Sequence, residues 1–364
     1  MSILIFIIIL SLLVIVHEAG HFFMAKYFGI RVDEFGLGYP PKAKKLFTWR
    51  GTVFTLNWLP FGGFVKIFGE NPSEDIDEKI EGPVAPGVRF TTKNRPIQAA
   101  VLLAGVTANF LFAWLLISAG FMSGLPAPVG VSLPVENAET VITTVIPGSP
   151  AAEAGLKSGD TLVSLSRGEN IIEATPETAS SFISESKEPI TFNIRRGEEN
   201  LSKTLVPKDG IVAEKLAVGI AMDNVGIVKL SPLKAVYHGL LTTVELTWLT
   251  AKALGTFIAQ GIMGKGDLSQ VTGPVGLVSM VGDVSQLGFV YLLSFTALIS
   301  INLAIVNLIP FPALDGGRLL FVLVESIIRR PVPARVFNAA NTLGFGILIL
   351  LMLLITFRDV KNLL

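Results

Sequence analysis

His17-Glu18-Ala19-Gly20-His21 is the stretch best equipped for chemistry. On a helix, imidazoles at i and i+4 project from one face and can share a single metal ion. Glu18 stands beside the first imidazole, and a carboxylate there can take a proton from a water held by such an ion. A hydrolytic zinc site has three protein ligands and one open position, commonly two histidines and a carboxylate. The chain has no cysteine and its histidines are His17, His21 and His238, so nitrogen and oxygen must supply the ligands. His238 has no second ligand at metal-binding spacing and reads as a surface or packing residue. Asp315 is the candidate third ligand. It follows a late apolar span that ends on the same side of a membrane as the first, and Gly316 and Gly317 beside it permit close approach.

The element that must carry the histidine pair is itself apolar. Residues 3–24 are long enough to enter a bilayer, and ionisable groups at that depth are costly and read as functional. No Lys or Arg precedes Lys26 and no small-residue cleavage site follows the run, so a retained span is expected and not a removed leader. Of the 364 residues, 51% are hydrophobic and 16% charged, too apolar a balance for an ordinary soluble protein. Lys+Arg and Asp+Glu both total 29, which leaves no basic surplus for nucleic acid.

Further spans are expected over 97–123, 287–309 and 339–357. The fold class is therefore a multi-pass α-helical membrane protein of about four transmembrane helices. Residues 26–95 hold eleven Lys or Arg, and the loop between the last two spans holds Arg318, Arg329, Arg330 and Arg335. Both segments are expected on the cytoplasmic side, with residues 126–228 outside. Residues 52–60 and 62–69 read as two strands joined at Pro60-Phe61, a hairpin associated with the membrane face or packed on helices. Residues 126–228 have the composition of a small α/β domain, with strands over 139–146, 161–165, 189–195 and 200–206 and helices over 149–155 and 175–186. Apolar residues recur at helical spacing through 231–264, interrupted by Lys234, His238, Glu245 and Lys252; this reads as an amphipathic interfacial helix. Pro310 and Pro312 are expected to keep the chain extended to Asp315, with a helix over 319–328. The domains expected are 1–125, 126–228, a linker over 229–286, and 287–364.

Residues 145–162, with Gly148-Ser149-Pro150-Ala151 and Gly159-Asp160, resemble the hallmark of PDZ domains from bacterial proteases. Such domains bind extended peptides or chain ends by strand addition, although a rigid spacer is the plainer reading. The chain as a whole resembles the site-2 proteases, intramembrane zinc metalloproteases, in their bacterial form with an inserted PDZ domain. The matching residues are His17-Glu18-Ala19-Gly20-His21, Phe61-Gly62-Gly63-Phe64-Val65-Lys66, Ala104-Gly105-Val106-Thr107-Ala108-Asn109-Phe110, and the run from Asn302 through Asn307, Pro310 and Pro312 to Asp315-Gly316-Gly317. The resemblance implies one zinc ion held by His17, His21 and Asp315, with Glu18 activating its water. It implies that Asn302, Asn307, Pro310 and Pro312 line the substrate cleft and that the hairpin ending at Gly62-Gly63 pairs with an unwound substrate segment. It implies a hydrolase of the inner (plasma) membrane that cleaves single-span membrane proteins, of the anti-sigma-factor or signal-peptide-remnant type. Val106 stands where many members have proline, and one PDZ-like domain stands where some relatives carry two.

A membrane scaffold that binds metal and peptides without turnover is the alternative. Glu18 argues against it, because a silent scaffold needs no base beside its ligand. A transporter is disfavoured, since the sequence shows no inverted repeat. Asn109, inside the second span, reads as a helix–helix hydrogen bond. Either Asn302 or Asn307 could donate to a developing oxyanion.

Overall fold

The computed structural model describes residues 1–70, 87–129, 133–185, 187–212, 215–265 and 271–363. Contacts divide the chain into two units: Met1–Ser118 with Val236–Ser285 and Leu293–Leu364, and Ala119–Ala235 with Gln286–Leu292.

In the first unit, α1 (Ser2–Tyr27) is apolar on nearly all sides ahead of His17, as a span must be. Strands β1 (Val32–Trp49) and β2 (Thr52–Ile67) follow and pair antiparallel. Their turn is Arg50-Gly51, with φ of 47° and 78°, opposite the Trp49↔Thr52 pair. Two central residues with positive φ give the primed turn whose twist matches a hairpin. The expected turn at Pro60-Phe61 is therefore wrong: residues 52–60 and 62–69 do not pair with each other, and Pro60 lies inside one strand. Pro60 has no partner in the strand register, which is where a residue without N–H is tolerated. The hairpin is fastened to α1 through Phe22, whose ring meets those of Phe35 and Phe54 edge-on at 5.6 Å.

The second apolar helix is α2 (Arg95–Ser123), the most enclosed of the spans, with 44% of its apolar window buried. In the second unit, β3 (Leu125–Pro128), β4 (Glu136–Val145), α3 (Pro150–Glu153), β5 (Thr161–Arg167), β6 (Asn170–Glu173), α4 (Pro176–Ser184), β7 (Ile190–Arg196), β8 (Glu199–Leu205), β9 (Lys208–Val212), β10 (Lys215–Ala217) and β11 (Ile220–Val228) follow in order. The main sheet runs β3-β11-β4-β5-β7-β8, with β6 on β5. Ile190, Phe192 and Ile194 alternate into its core while Thr191 and Asn193 do not, the period of a one-sided strand. Helix α4 starts at a Thr175–Thr178 capping box and buries Ala179, Phe182 and Ile183, an i, i+3, i+4 stripe. Residue 186, the end of the expected helix, lies outside the described residues.

Back in the first unit, α5 (Pro232–Ile262) packs its beginning on α2, where the Trp114 indole N–H donates to the Val236 carbonyl at 2.8 Å. Then come α6 (Pro274–Leu287), all but its last residue inside the expected linker, and α7 (Phe289–Leu308). Helix α8 (Asp315–Ile328) begins at Asp315 itself and not at residue 319. Gly316 and Gly317 allow this, since a Cβ at Gly316 would stand 2.5 Å from the Leu308 carbonyl carbon and one at Gly317 2.6 Å from that of Phe311. The last helix is α9 (Ala334–Leu363). Helices α1, α2, α7 and α9 are long and apolar enough to cross a membrane.

Candidate metal centre

Two facing stripes begin the site. On α2, Val101, Gly105 and Asn109 recur at i, i+4 and i+8 and so line one face. On α1, Gly20 presents no side chain to that face, and a Cβ there would stand 2.7 Å from the Ala104 carbonyl carbon. Close approach of the two helices therefore depends on small residues, as is common between spans. Gly105 lies directly under the imidazoles: a Cβ would overlap His21 Nε2 and stand 2.8 Å from His17 Cε1.

The stripes also fix the rings. The His21 Nδ1–H donates to the Val101 carbonyl at 2.8 Å, so in the neutral ring Nε2 carries the lone pair. The Asn109 amide lies 3.3 Å from His17 Nδ1 with Nδ2 nearest, while its buried Oδ1 has no partner. Turning that amide over lets Oδ1 accept from His17 Nδ1–H, which satisfies the oxygen and frees the Nε2 lone pair. Asn109 does make an interhelical contact, as its sequence setting suggested, but its partner is a ring of the cluster. Ser300 of α7 donates to the Asn109 carbonyl at 2.8 Å and brings the third helix alongside.

Asp315 arrives from 298 residues away. Its Oδ2 lies 2.9 Å from His17 Nε2 and 3.2 Å from His21 Nε2, and the two Nε2 atoms are 3.2 Å apart. Tetrahedral ligands at zinc–donor distances of about 2.0–2.1 Å stand about 3.3 Å from one another, so this N, N, O triangle has the size that a zinc ion requires. Among the described residues these are the His, Asp and Glu groups that could hold a metal. Burial alone would raise the Asp315 carboxyl, but its bonds to His17 and His21 hold it well below the usual carboxylate range.

A cavity of about 410 Å³ opens beside the triangle, lined by Glu18, His21, Asp315, Tyr39, Arg318 and the β2 stretch 63–67. Gly63 lies against Glu18, since a Cβ there would be 4.0 Å from Glu18 Cγ; Gly62 packs under the Tyr39 ring. Arg318, one turn past Asp315, forms an ion pair with Glu70 at the end of the hairpin. The Glu70 carboxylate holds that guanidinium above its ordinary value. Asn307 Nδ2 approaches His17 Nε2 at 3.4 Å, whereas Asn302 is exposed and donates to the Leu298 carbonyl in its own helix. Pro310 is exposed, and Pro312 packs against Gly344 of α9. His238 is half-buried beside Tyr237, outside the cluster. Sequence reasoning left Tyr39, Glu70 and Gly105 without a role; for Gly105 the signal was the run of small residues 104–108 inside a span.

The chain matches peptidase family M50 over residues 5–351. A Clostridium perfringens chain with a zinc-metalloprotease name is 32% identical over 352 residues, 96% of each chain. The zinc metalloprotease RasP of Geobacillus kaustophilus is 31% identical over 435 residues, covering 99% of this chain and 98% of its own. The protease RseP of Yersinia pestis is 29% identical over 456 residues, 98% of each. A match that runs from the first span into the last, through every segment that builds the triangle, settles the family: this chain belongs to peptidase family M50, the site-2 proteases, and is a metalloendopeptidase.

Proposed function

We propose that this intramembrane protease cleaves single-span membrane proteins within their transmembrane segments, with His17, His21 and Asp315 holding one zinc ion and Glu18 acting as base. Zinc is the cofactor, in keeping with the relatives' names and with a donor set of two imidazoles and a carboxylate. The observation that carries the residue assignment is the convergence of His17 Nε2, His21 Nε2 and Asp315 Oδ2 at 2.9–3.2 Å from three separate turns of chain.

When bound, zinc supplies Lewis acidity toward a peptide carbonyl and a water. The Glu18 carboxylate, in the same cavity, accepts the proton of the attacking water and delivers it to the departing amine. Asn307, next to His17, is the donor for the developing oxyanion; Asn302, already engaged with Leu298, serves the cleft at its rim with Pro310 and Pro312. A helical substrate hides its peptide groups in its own hydrogen bonds and must be opened first. The end of β2 over residues 63–67 pairs only with residues 32–37 of β1 among the described residues and borders the cavity, so an extended substrate segment can add there, next to Gly62-Gly63.

The four candidate spans and the Lys- and Arg-rich hairpin support an inner-membrane protein with the metal centre near the cytoplasmic side and residues 126–228 outside. The sheet of that outer unit is the PDZ-like domain and takes extended peptides or chain ends, tuning which substrates enter; deletion that leaves substrate choice unchanged makes it a spacer. The central test is cleavage of a single-span substrate by wild type and Glu18→Gln in detergent. Cleavage by wild type alone is expected. Equal cleavage by both removes Glu18 as the base, and none by either leaves a binding scaffold.

A further inference from the structure

Asp315 is delivered by a turn whose conformation its own residues do not favour. The Phe311 carbonyl accepts from the Leu314 N–H at 3.2 Å, closing a four-residue turn with Pro312 and Ala313 at its centre. Ala313 has φ of +75°. Proline at the second position and positive φ at the third define a type II turn, which calls for glycine or asparagine where this chain has alanine. In the type I alternative the peptide between the two central residues is turned over, and an L-residue at the third position is unstrained. Left to itself, the segment Phe311–Leu314 would favour that alternative.

Helix α9 supplies what the turn lacks. The side chain of Asn341 accepts a hydrogen bond from the Ala313 N–H at 3.0 Å, a group that the type I form would turn to the opposite face of the turn. One helical turn later, Gly344 leaves room for the other end of the same peptide: a Cβ there would stand 2.6 Å from the Pro312 carbonyl oxygen. The Pro312–Ala313 peptide is thus gripped at both ends by one helix. Ala313 borders the cavity together with Glu18 and Asp315, so the orientation of this peptide sets where α8 begins and where its first side chain points.

We propose that Asn341 is a positioning residue for the metal centre, holding the 311–314 turn in the strained form that delivers Asp315 to His17 and His21. This rests on Asp315 being a metal ligand. The test is a double-mutant cycle on the detergent-purified full chain, read as zinc affinity in competition with a chromophoric chelator. Asn341→Ala should weaken zinc retention about 10–100-fold, the range for residues that orient a ligand. Glycine adopts positive φ freely, so in an Ala313→Gly background the same truncation should cost no more than about threefold. Wild-type zinc affinity in Asn341→Ala overturns the inference, and so does an equal loss in both backgrounds. If Asn341→Ala fails to fold, the double variant decides: zinc retention like that of Ala313→Gly supports the role, and failure to fold there too overturns it. Asp315→Asn separates the two levels. Undiminished zinc in that variant removes the ligand assignment, whereas its loss together with intact binding in Asn341→Ala removes the positioning role alone.

Discussion

Gly105→Ala is the smallest change that should empty the metal centre without touching a ligand. The added carbon would overlap His21 Nε2 and stand 2.8 Å from both His17 Cε1 and His21 Cε1. Carbon contacts are optimal at about 3.5–4.0 Å, so each ring is short of room by roughly 1 Å. The His21 ring cannot swing aside cheaply, because its Nδ1–H is bonded to Val101, one turn back on the helix that carries the new methyl group. Either that bond breaks or α1 and α2 separate, and overpacking of this kind costs about 1–3 kcal/mol. Metal geometry is less forgiving than stability, since donor distances hold to within about 0.2 Å. A displacement of roughly 1 Å would take His21 out of the proposed coordination shell, and the 1–3 kcal/mol of overpacking corresponds to a loss of zinc affinity of about 5- to 140-fold at 1.4 kcal/mol per decade. The assay is zinc content by elemental analysis and chelator competition on the purified chain, with thermal unfolding alongside. One zinc per chain at wild-type affinity in a folded Gly105→Ala protein would refute the reasoning.

Asn109→Ala should lower zinc affinity about 10-fold with cleavage falling in parallel, because it removes the polar partner of His17 Nδ1; the same chelator titration checks it. In the sheet unit, Asp160 is 1% exposed and accepts from Arg196 Nε at 2.6 Å, Arg196 Nη2 at 2.7 Å and the Lys157 N–H at 2.9 Å. Asp160→Ala should destabilise that unit by about 3 kcal/mol, seen as faster proteolysis of the full chain within residues 133–228 while zinc content is kept. Gly255→Ala in α5 is the opposite case, since nothing lies within 4 Å of the new methyl group. It should be neutral or stabilising by up to about 1 kcal/mol in thermal unfolding, with cleavage unchanged.

The parts legible in the sequence were those written in local code. Spans announce themselves by length and apolarity, and the four apolar helices lie within a few residues of where composition puts them. The i, i+4 histidines need only one helix, so their convergence on one face follows from spacing alone. The hairpin was misread because its signals are not local. Strand β1 carries Pro40, Pro41 and Lys42, Lys44 and Lys45, a composition that does not read as a strand, and it forms only because Phe35 and Phe47 stack on Phe54 across the register. Strand β11 escaped for the same reason: its partners in β3 and β4 stand 75 or more positions earlier in the sequence (220 minus 145 for the nearest pair).

The site divides in the same way. Side chains that do chemistry belong to few types and can be picked out by type, which is how Glu18, His17, His21 and Asp315 stand out as candidates. Residues that place them carry no chemical signature. Gly105 acts by lacking a side chain, Val101 by a backbone carbonyl, and Asn341 by accepting one N–H. Each has meaning only against a neighbour on another helix. Asn109 shows where the line falls, because a lone amide in a span must find a partner, so a bond could be expected while His17 as its partner could not. For a cluster whose members lie 298 positions apart, the sequence of one segment can state which atoms are needed, and only the packing of the others can state that they meet.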